Sequence, residues 1–440
     1  MGGMLRTLDW RGRIPGDGSW LGDIPRVELS QTDLSDQVAT LIAEVREGGA
    51  QALVNQAERF DGVTPPQVRV ESQVAQAALE TIPEPLREAI TIAIDRVRQA
   101  TSVQVPAESA VDVAPGAQIT QRFVPVDRAG VYVPGGKAVY PSSVVMNVVA
   151  AQVAGVGSIA LASPPQAEFG GGIHPTILAT AALLGIDEIY CMGGAGAIAA
   201  LAYGVPDIEL EPVSVITGPG NRFVAAAKRE LKGVVGIDSE AGPTEIVVIA
   251  DSTAPADVVA ADLVSQAEHD ELAQVVLITP DAELADEVNR AVARRAAATE
   301  HSERVGIALG SAQSAIILVD SLDQAVAVSD ALAPEHLEII CANPREVAGH
   351  IRHAGAIFLG PYTPVSAGDY LAGSNHVLPT GGAAKFQSGL SALTFLRPQQ
   401  IVEYSKDALE GIARPLDTFA RAEHLPAHAE AVWARLGEED

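Results

Sequence analysis

Apolar residues recur every three or four positions between residues 33 and 103, with Leu34, Val38, Leu41, Ile42 and Val45 on one stripe and Leu86, Ile90, Ile94 and Val97 on another. Charged residues fill the remaining faces, so the spacing predicts a helical opening. From about residue 120 the pattern shortens to β-branched runs, at Ile159–Leu161, Ile186–Cys191, Val213–Ile216, Ile246–Ile249, Val275–Ile278, Ala315–Val319 and Ala356–Leu359. Ala-rich segments of high helix propensity separate them. Strand, helix, strand repetition implies parallel sheets with helices on both faces. The repeats are too many for one sheet of ordinary width, which predicts an α/β fold of two parallel-sheet domains, Rossmann-like but incomplete. The last fifty residues lose the strand pattern and read as a helical arm. No heptad, short repeat or low-complexity tract interrupts this plan.

Composition narrows the chemistry. A chain of 440 residues has room for about two to three domains, and 48% hydrophobic against 19% charged residues suits packed cores rather than disorder. The 29 basic and 56 acidic residues leave a formal charge of −27, which repels a polyanion and favours small-molecule chemistry. Two cysteines, Cys191 and Cys341, can form at most one bridge and no cysteine-rich zinc site, as in a reducing compartment. No apolar stretch reaches the ~18 residues of a membrane span. The opening Met1-Gly-Gly-Met-Leu-Arg6 lacks a signal-peptide core, and Arg6 spoils a myristoylation match. The expected location is the cytoplasm.

Four His/acid clusters stand out: Gln266-Ala-Glu-His269-Asp270, Pro334-Glu335-His336, Gly368-Asp369-Tyr370 through Asn375-His376, and Glu423 through His428. They hold five of the nine histidines. Dispersed nitrogen and oxygen donors of this kind suit a zinc site with an open position, and so a metalloenzyme. Gln266 and His269, three apart, would share a helix face; a solvated face is the plain alternative. Asp369 suits a turn as well as a ligand. His424 and His428 form an i, i+4 pair, but Pro426 lies between them, and His424 reads as a surface residue.

Glycine loops at Val133–Gly136, Gly193–Gly196, Gly218–Asn221 and Ala241–Glu245 sit where strands should end, the usual place for ligands in open α/β sheets. Gly194–Ala199 fits a dinucleotide fingerprint, yet Glu209 and Glu211 are only loosely placed for its acidic partner, so tight turns explain these glycines as well. Cys191 ends a predicted strand beside the glycine loop and could be nominated as a thiolate nucleophile, but nothing nearby would lower its pKa.

The ordered blocks Val131–Gly136, Tyr140-Pro-Ser-Ser143, Gly218–Asn221, Ala241–Glu245, Ala260–Asp270, Pro334–Glu338, Gly368–Tyr370 and Gly373–Thr380 resemble the histidinol dehydrogenase family over nearly the whole chain. The resemblance implies oxidation of L-histidinol through L-histidinaldehyde to L-histidine, the last steps of histidine biosynthesis, with two NAD and one zinc ion per subunit. It also implies a homodimer that shares its active sites. The implied zinc ligands are Gln266, His269 and Asp369, with His428 of the partner subunit as the fourth. A Gln ligand donates weakly and leaves the ion adjustable, so its main work is to orient the substrate. His336 is the implied base for alcohol oxidation and Glu335 the implied water activator, roles that suit a near-neutral imidazole and a carboxylate. Without the resemblance, this pair would read as a helix cap or a partner for Arg.

Thr244, where many relatives carry Ser, His376 and Glu423 match substrate-contacting positions, alongside His336 and the four ligands. Tyr132 and Asn221 match NAD contacts, whereas Gly196 stands where relatives commonly have a cofactor-binding Gln. The missing side chain implies weaker NAD binding or a water in its place. The fingerprint at Gly194–Ala199 owes its second glycine to this substitution and is no evidence for ordinary Rossmann binding. The implied division is an extension over 1–30, a first α/β domain over 31–125 with 238–385, a second over 126–237, and a helical dimerisation arm over 386–440. The competing readings are a related zinc and NAD dehydrogenase of another small alcohol, and a zinc hydrolase or non-catalytic zinc protein.

Overall fold

The computed structural model describes residues 5–13, 18, 20–26, 34–135, 139–240 and 242–437. The chain opens with β1 (Arg6–Asp9), α1 (Ser35–Phe60), β2 (Arg69–Val70), α2 (Ser72–Thr81) and α3 (Glu84–Ser102). Two long strands, β3 (Ser109–Ala114) and β4 (Ala117–Pro125), lead into β5 (Arg128–Tyr132), α4 (Pro141–Ala154), β6 (Ser158–Ser163), α5 (Pro175–Leu183), β7 (Ile189–Cys191) and α6 (Gly194–Tyr203). Then come β8 (Val215–Thr217), α7 (Arg222–Leu231), β9 (Gly236–Ile237), β10 (Glu245–Ala250), α8 (Ala256–Ala267), β11 (Gln274–Thr279), α9 (Ala282–Ala298) and α10 (Ser302–Gly310). The last part comprises β12 (Ala315–Leu318), α11 (Leu322–Leu332), β13 (His336–Ile340), α12 (Pro344–Ala348), β14 (Ala356–Leu359), α13 (Val365–Tyr370), β15 (Leu396–Tyr404), α14 (Lys406–Ala422) and α15 (Pro426–Leu436).

Two six-stranded sheets result, one in the order β1-β12-β11-β10-β13-β14 and the other β2-β7-β6-β5-β8-β9. The first is wholly parallel; in the second only β2 runs antiparallel to its neighbour. Every residue of β10 and β11 is buried, because helices cover both faces. Alternate residues serve opposite cores: Ile246 and Val248 pack with α8 and α9, whereas Val247 and Ile249 pack with α11.

Several elements depart from the pattern-based expectation. The opening helices pack on the second sheet: Val38 joins Tyr190 and Ile198, and Ile90, Ile94 and Val97 join Val131 and Val144. An apolar stripe reveals that a face is buried, not which sheet buries it. Arg6–Asp9, placed by sequence in an extension, is the edge strand against β12. The expected helical arm contains β15, which pairs along its whole length with β4 in a three-stranded antiparallel sheet. Its residues are mostly exposed, so no apolar alternation marks it; backbone pairing alone makes the strand. Gly136 and Ala241 of the glycine loops lie outside the described residues.

The loops after β5, β7 and β8 do lie at strand C-termini, but residues 242–244 precede β10 and so lie at an N-terminal edge. The segment around Asn375 joins the two edges: Asn375 Nδ2 donates to the Met146 carbonyl on α4 at 2.9 Å. The loop after β8 is fixed by a buried ion pair. Lys228 Nζ donates to Asp238 Oδ1 at 2.7 Å and to the Gly218 carbonyl, while Gly218 N–H donates to Asp238 Oδ2 at 2.8 Å. Gly218 has φ 113°, and a Cβ there would lie 1.9 Å from the Tyr132 carbonyl oxygen, so only glycine fits. Because Asp238 would be left buried without its cation, Lys228→Met is expected to destabilise the fold by about 3–5 kcal/mol, measured by urea unfolding.

Candidate active site

The residues at the entrances to β10 and β13 lie side by side and form one hydrogen-bonded chain. Thr244 Oγ1–H donates to Glu335 Oε2 at 2.6 Å, and Glu245 N–H donates to the same oxygen at 2.9 Å. Gln266 Nε2–H, from the end of α8, donates in turn to Thr244 Oγ1. The amide nitrogen of Gln266 is thereby committed, which leaves its oxygen as the donor atom available to a ligand.

His336 is 4% exposed, and its Nδ1 lies 3.0 Å from the Glu245 carbonyl. A carbonyl only accepts, so Nδ1 carries the proton and Nε2 of the neutral ring carries the lone pair. That Nε2 is buried with no hydrogen-bond partner among the described residues, and lies 4.0 Å from Asp369 Oδ1. A nitrogen of this kind is placed to accept a hydrogen bond from a group brought to it. Its neighbour Glu335 is 7% exposed, with Oε2 3.5 Å from His336 Nδ1. Burial raises the Glu335 pKa, opposed by His336 and by the Thr244 and Glu245 donors, and assisted by Asp369. Glu245 is pushed up to about 7 by burial and by Glu335, while its Oε1 accepts from Gly381 N–H at 2.9 Å.

Asp369 lies in the last turn of α13, not in a loop as its Gly and Tyr neighbours suggested. Its carbonyl accepts from His376 Nδ1 at 2.9 Å, and His376 Nε2 lies 3.2 Å from Ser143 Oγ at the start of α4. Burial lowers the His376 pKa, Asp369 opposes this, and His336 and His269 add to it. Gly368 is required by the aromatic ring beside it: a Cβ would come within 2.6 Å of Phe358, whose ring stands 6.1 Å from that of His336. Ser143 and the Glu245 backbone were missed as functional groups, although both fall in blocks that carried the family resemblance.

Gln266 and His269 do not share a helix face. Helix α8 ends at Ala267, and His269 N–H closes a turn onto the Gln266 carbonyl at 3.2 Å, leaving an exposed imidazole. Glu423 and His428 are exposed at the junction of α14 and α15, where His424 has φ 59°. Among the described residues no three His, Cys, Asp or Glu side chains are arranged as a metal-holding group, and no hydrogen bond joins Glu423 or His428 to Gln266, His269, Asp369 or His376. Within the chain, therefore, Thr244, Gln266, Glu335, His336, Asp369 and His376 come together around the two sheet edges, and the arm residues Glu423 and His428 are not joined to them.

The cofactor candidates lie on the second sheet. Tyr132 is buried and its hydroxyl accepts from Gly194 N–H at 3.2 Å, which ties the loop after β7 to β5; burial pushes its pKa up to about 12. Asn221 caps α7, its Oδ1 accepting from Phe223 and Val224 N–H at 3.0 and 3.2 Å. Gly196 is buried, and a Cβ there would come within 2.3 Å of Gln56 Oε1. The space is filled by protein, because Gln56 crosses the kink of α1 at Gly49 and donates to the Leu41 carbonyl at 3.0 Å and to Glu44 at 2.8 Å. Cys191 is buried, with its thiol pushed up to about 12 by burial and by Asp61, the opposite of an activated nucleophile.

A buried imidazole with an unpartnered nitrogen beside a buried carboxylate, at the edges of two largely parallel sheets, is an arrangement suited to acid–base chemistry in an α/β enzyme. Comparison with known proteins makes this specific. The family model described as "Histidinol dehydrogenase" matches residues 24–436. The chain is 56% identical over 434 residues to the histidinol dehydrogenase of Leifsonia xyli, covering 99% of this chain and 100% of that one. It is 52% identical over 440 residues to that of Thermobifida fusca, covering 100% and 99%. The crystal structure of histidinol dehydrogenase from Elizabethkingia anophelis superimposes with a TM-score of 0.93 at 34% identity, covering 98% of each chain. The chain belongs to the histidinol dehydrogenase family of oxidoreductases.

A side chain at position 196 must displace Gln56. Gly196→Gln is expected to cost about 1–3 kcal/mol by stranding buried polar groups. Urea unfolding of Gly196→Gln, with and without Gln56→Ala, checks this; recovery of most of the loss in the double variant is the expected result.

Proposed function

We propose that the chain oxidises L-histidinol to L-histidine through L-histidinaldehyde, reducing two NAD and binding one zinc ion. The observation that carries the reading is His336: Nδ1–H is held by the Glu245 carbonyl and Nε2 is buried and unpartnered, next to a buried Glu335. In the first oxidation, His336 Nε2 accepts the hydroxyl proton as hydride leaves the carbinol carbon for the nicotinamide. In the second stage Glu335 accepts a proton from water as its oxygen adds to the aldehyde carbon. Addition leaves the former carbonyl oxygen as an alkoxide, which collapses to the carboxyl group as the hydride on its carbon passes to a second NAD; the proton on Glu335 and that of the product acid are released to solvent. Thr244 and Glu245 hold Glu335 Oε2 in place for the water step.

Gln266, His269 and Asp369 fit three oxygen and nitrogen donors of a zinc site, since the Gln266 amide nitrogen is committed to Thr244. His428 of the partner subunit would complete the set, with Glu423 of the partner subunit at the substrate. When bound, zinc supplies a Lewis-acidic anchor for the imidazole and amino nitrogens of histidinol. His376, braced by Ser143 and Asp369, lies where it can contact the substrate. Tyr132, Asn221 and Gly196 mark the NAD side; because Gln56 fills the space at Gly196, cofactor contact there is through backbone.

Apolar exposure on the arm supports a homodimer. Phe419 is 70% exposed and Val402 61%, and Leu425, Ile412 and Tyr404 are also exposed. No helix among the described residues is long and apolar enough to cross a membrane, and the proposed location is the cytoplasm. A related dehydrogenase of another small alcohol would have reason to change its substrate contacts, and His376 and Glu423 match the histidinol pattern.

Zinc-loaded protein given NAD and L-histidinol is expected to form roughly two NADH per histidine, followed by absorbance with product quantified; absence of NADH would refute the reading. Glu335→Gln should slow conversion of histidinaldehyde by about 100- to 10,000-fold, with the alcohol step, followed by single-turnover NADH formation, much less affected. Mixing His428→Ala with His269→Ala subunits should restore part of the activity if the site crosses the dimer, and none if each protomer is self-contained.

A further inference from the structure

One buried pair has no part in the chemistry described above. Glu338 on β13 is 1% exposed and Asp262 on α8 is 7% exposed, and their carboxyl groups are hydrogen-bonded to each other. A hydrogen bond between two carboxyls requires a proton on one of them. Burial and the neighbouring acid both raise the Glu338 pKa, so the proton is retained. Arg295 on α9 lowers the Asp262 pKa electrostatically but is itself ion-paired with Asp257. The second Glu338 oxygen, Oε2, is buried with no partner among the described residues. Val248 and Phe358 flank Glu338 on the neighbouring strands, so apolar side chains would fit this layer and the acids are not needed to fill it.

Their place in the fold gives them a use. Glu338 is two residues beyond His336, hence on the same face of β13 and ~6.6 Å along the strand. Asp262 is four residues before Gln266, hence on the same side of α8 and ~6 Å along the helix. The acid pair therefore forms a rung directly beneath the rung that holds Gln266 and His336. We propose that the Asp262–Glu338 hydrogen bond is a positioning element, which fixes α8 against β13 and so sets the separation between the Gln266 ligand and the His336 base. Apolar contacts between a helix and a sheet are non-directional and tolerate sliding. A short O–H···O⁻ bond does not. The inference rests on the zinc and base roles proposed above.

The test compares Asp262→Leu/Glu338→Met, near-isosteric and apolar, with Glu338→Gln, whose amide N–H still donates to Asp262. Zinc affinity is read by competition with a chromophoric chelator, kcat and KM by NADH formation, and folding by thermal unfolding of the metal-free protein. The double variant should fold, bind zinc about 10- to 100-fold more weakly and lose kcat to a similar extent, with KM for NAD unchanged. Glu338→Gln should stay close to the wild type on all counts. Should the double variant not fold, Glu338→Met alone carries the same comparison at lower temperature. Unchanged zinc affinity and kcat in the apolar variant would overturn the proposal, as would an equal loss in folded Glu338→Gln. A wild-type chain that bound no zinc would instead refute the ligand assignment on which the proposal rests.

Discussion

A single carboxylate oxygen, Glu335 Oε2, holds the site together. It accepts from the Thr244 hydroxyl and from Glu245 N–H, and Thr244 in turn accepts from the Gln266 amide. Through it the start of β10, the start of β13 and the end of α8 are locked in one register. The same Glu245 that donates its N–H to Glu335 offers its carbonyl to His336 Nδ1. One peptide segment thus fixes the carboxylate and selects the imidazole tautomer. Desolvation of so many polar groups is unfavourable unless each finds a partner. Within this network His336 Nε2 is left without a hydrogen-bond partner among the described residues, and the proposed base role rests on that atom.

The placement of this network reverses the usual rule for open α/β sheets, in which ligands gather at strand C-termini. The first sheet presents its N-terminal edge, while the second presents the C-terminal edges of β5, β7 and β8 with their glycine loops. The two edges face one another across the segment from Asp369 to His376, which is bonded to α4 through Ser143 and Met146. A reaction that transfers hydride between a substrate held by one sheet and a cofactor held by the other needs such a meeting of edges.

Much of this was legible in the sequence, and the losses have physical causes. Buried strands such as β10 and β11 announce themselves as continuous apolar runs, and three of the four His/acid clusters contribute residues that the fold brings together, Gln266, Glu335 with His336, and Asp369 with His376. β15 went unread because its residues are mostly exposed and its pairing with β4 is a backbone matter. The partner sheet of α1–α3 was unreadable because an amphipathic stripe does not name its neighbour. His269 looked helical by spacing, but the helix stops two residues earlier. Gly196 read as a missing contact, whereas Gln56, distant in sequence, fills the space. The exposed Glu423 and His428 gain a role only from the family resemblance, because within the chain neither joins the other candidate site residues.

If Thr244 ties Gln266 to Glu335, its hydroxyl must matter to metal binding and to water activation together. The most direct measurement is zinc affinity alongside the rate of histidinaldehyde oxidation for Thr244→Val and Thr244→Ser. The account predicts that Ser preserves both, while Val, which has the shape but not the hydroxyl, weakens both by about 10- to 100-fold. A Val variant that left either property at the wild-type level would contradict it.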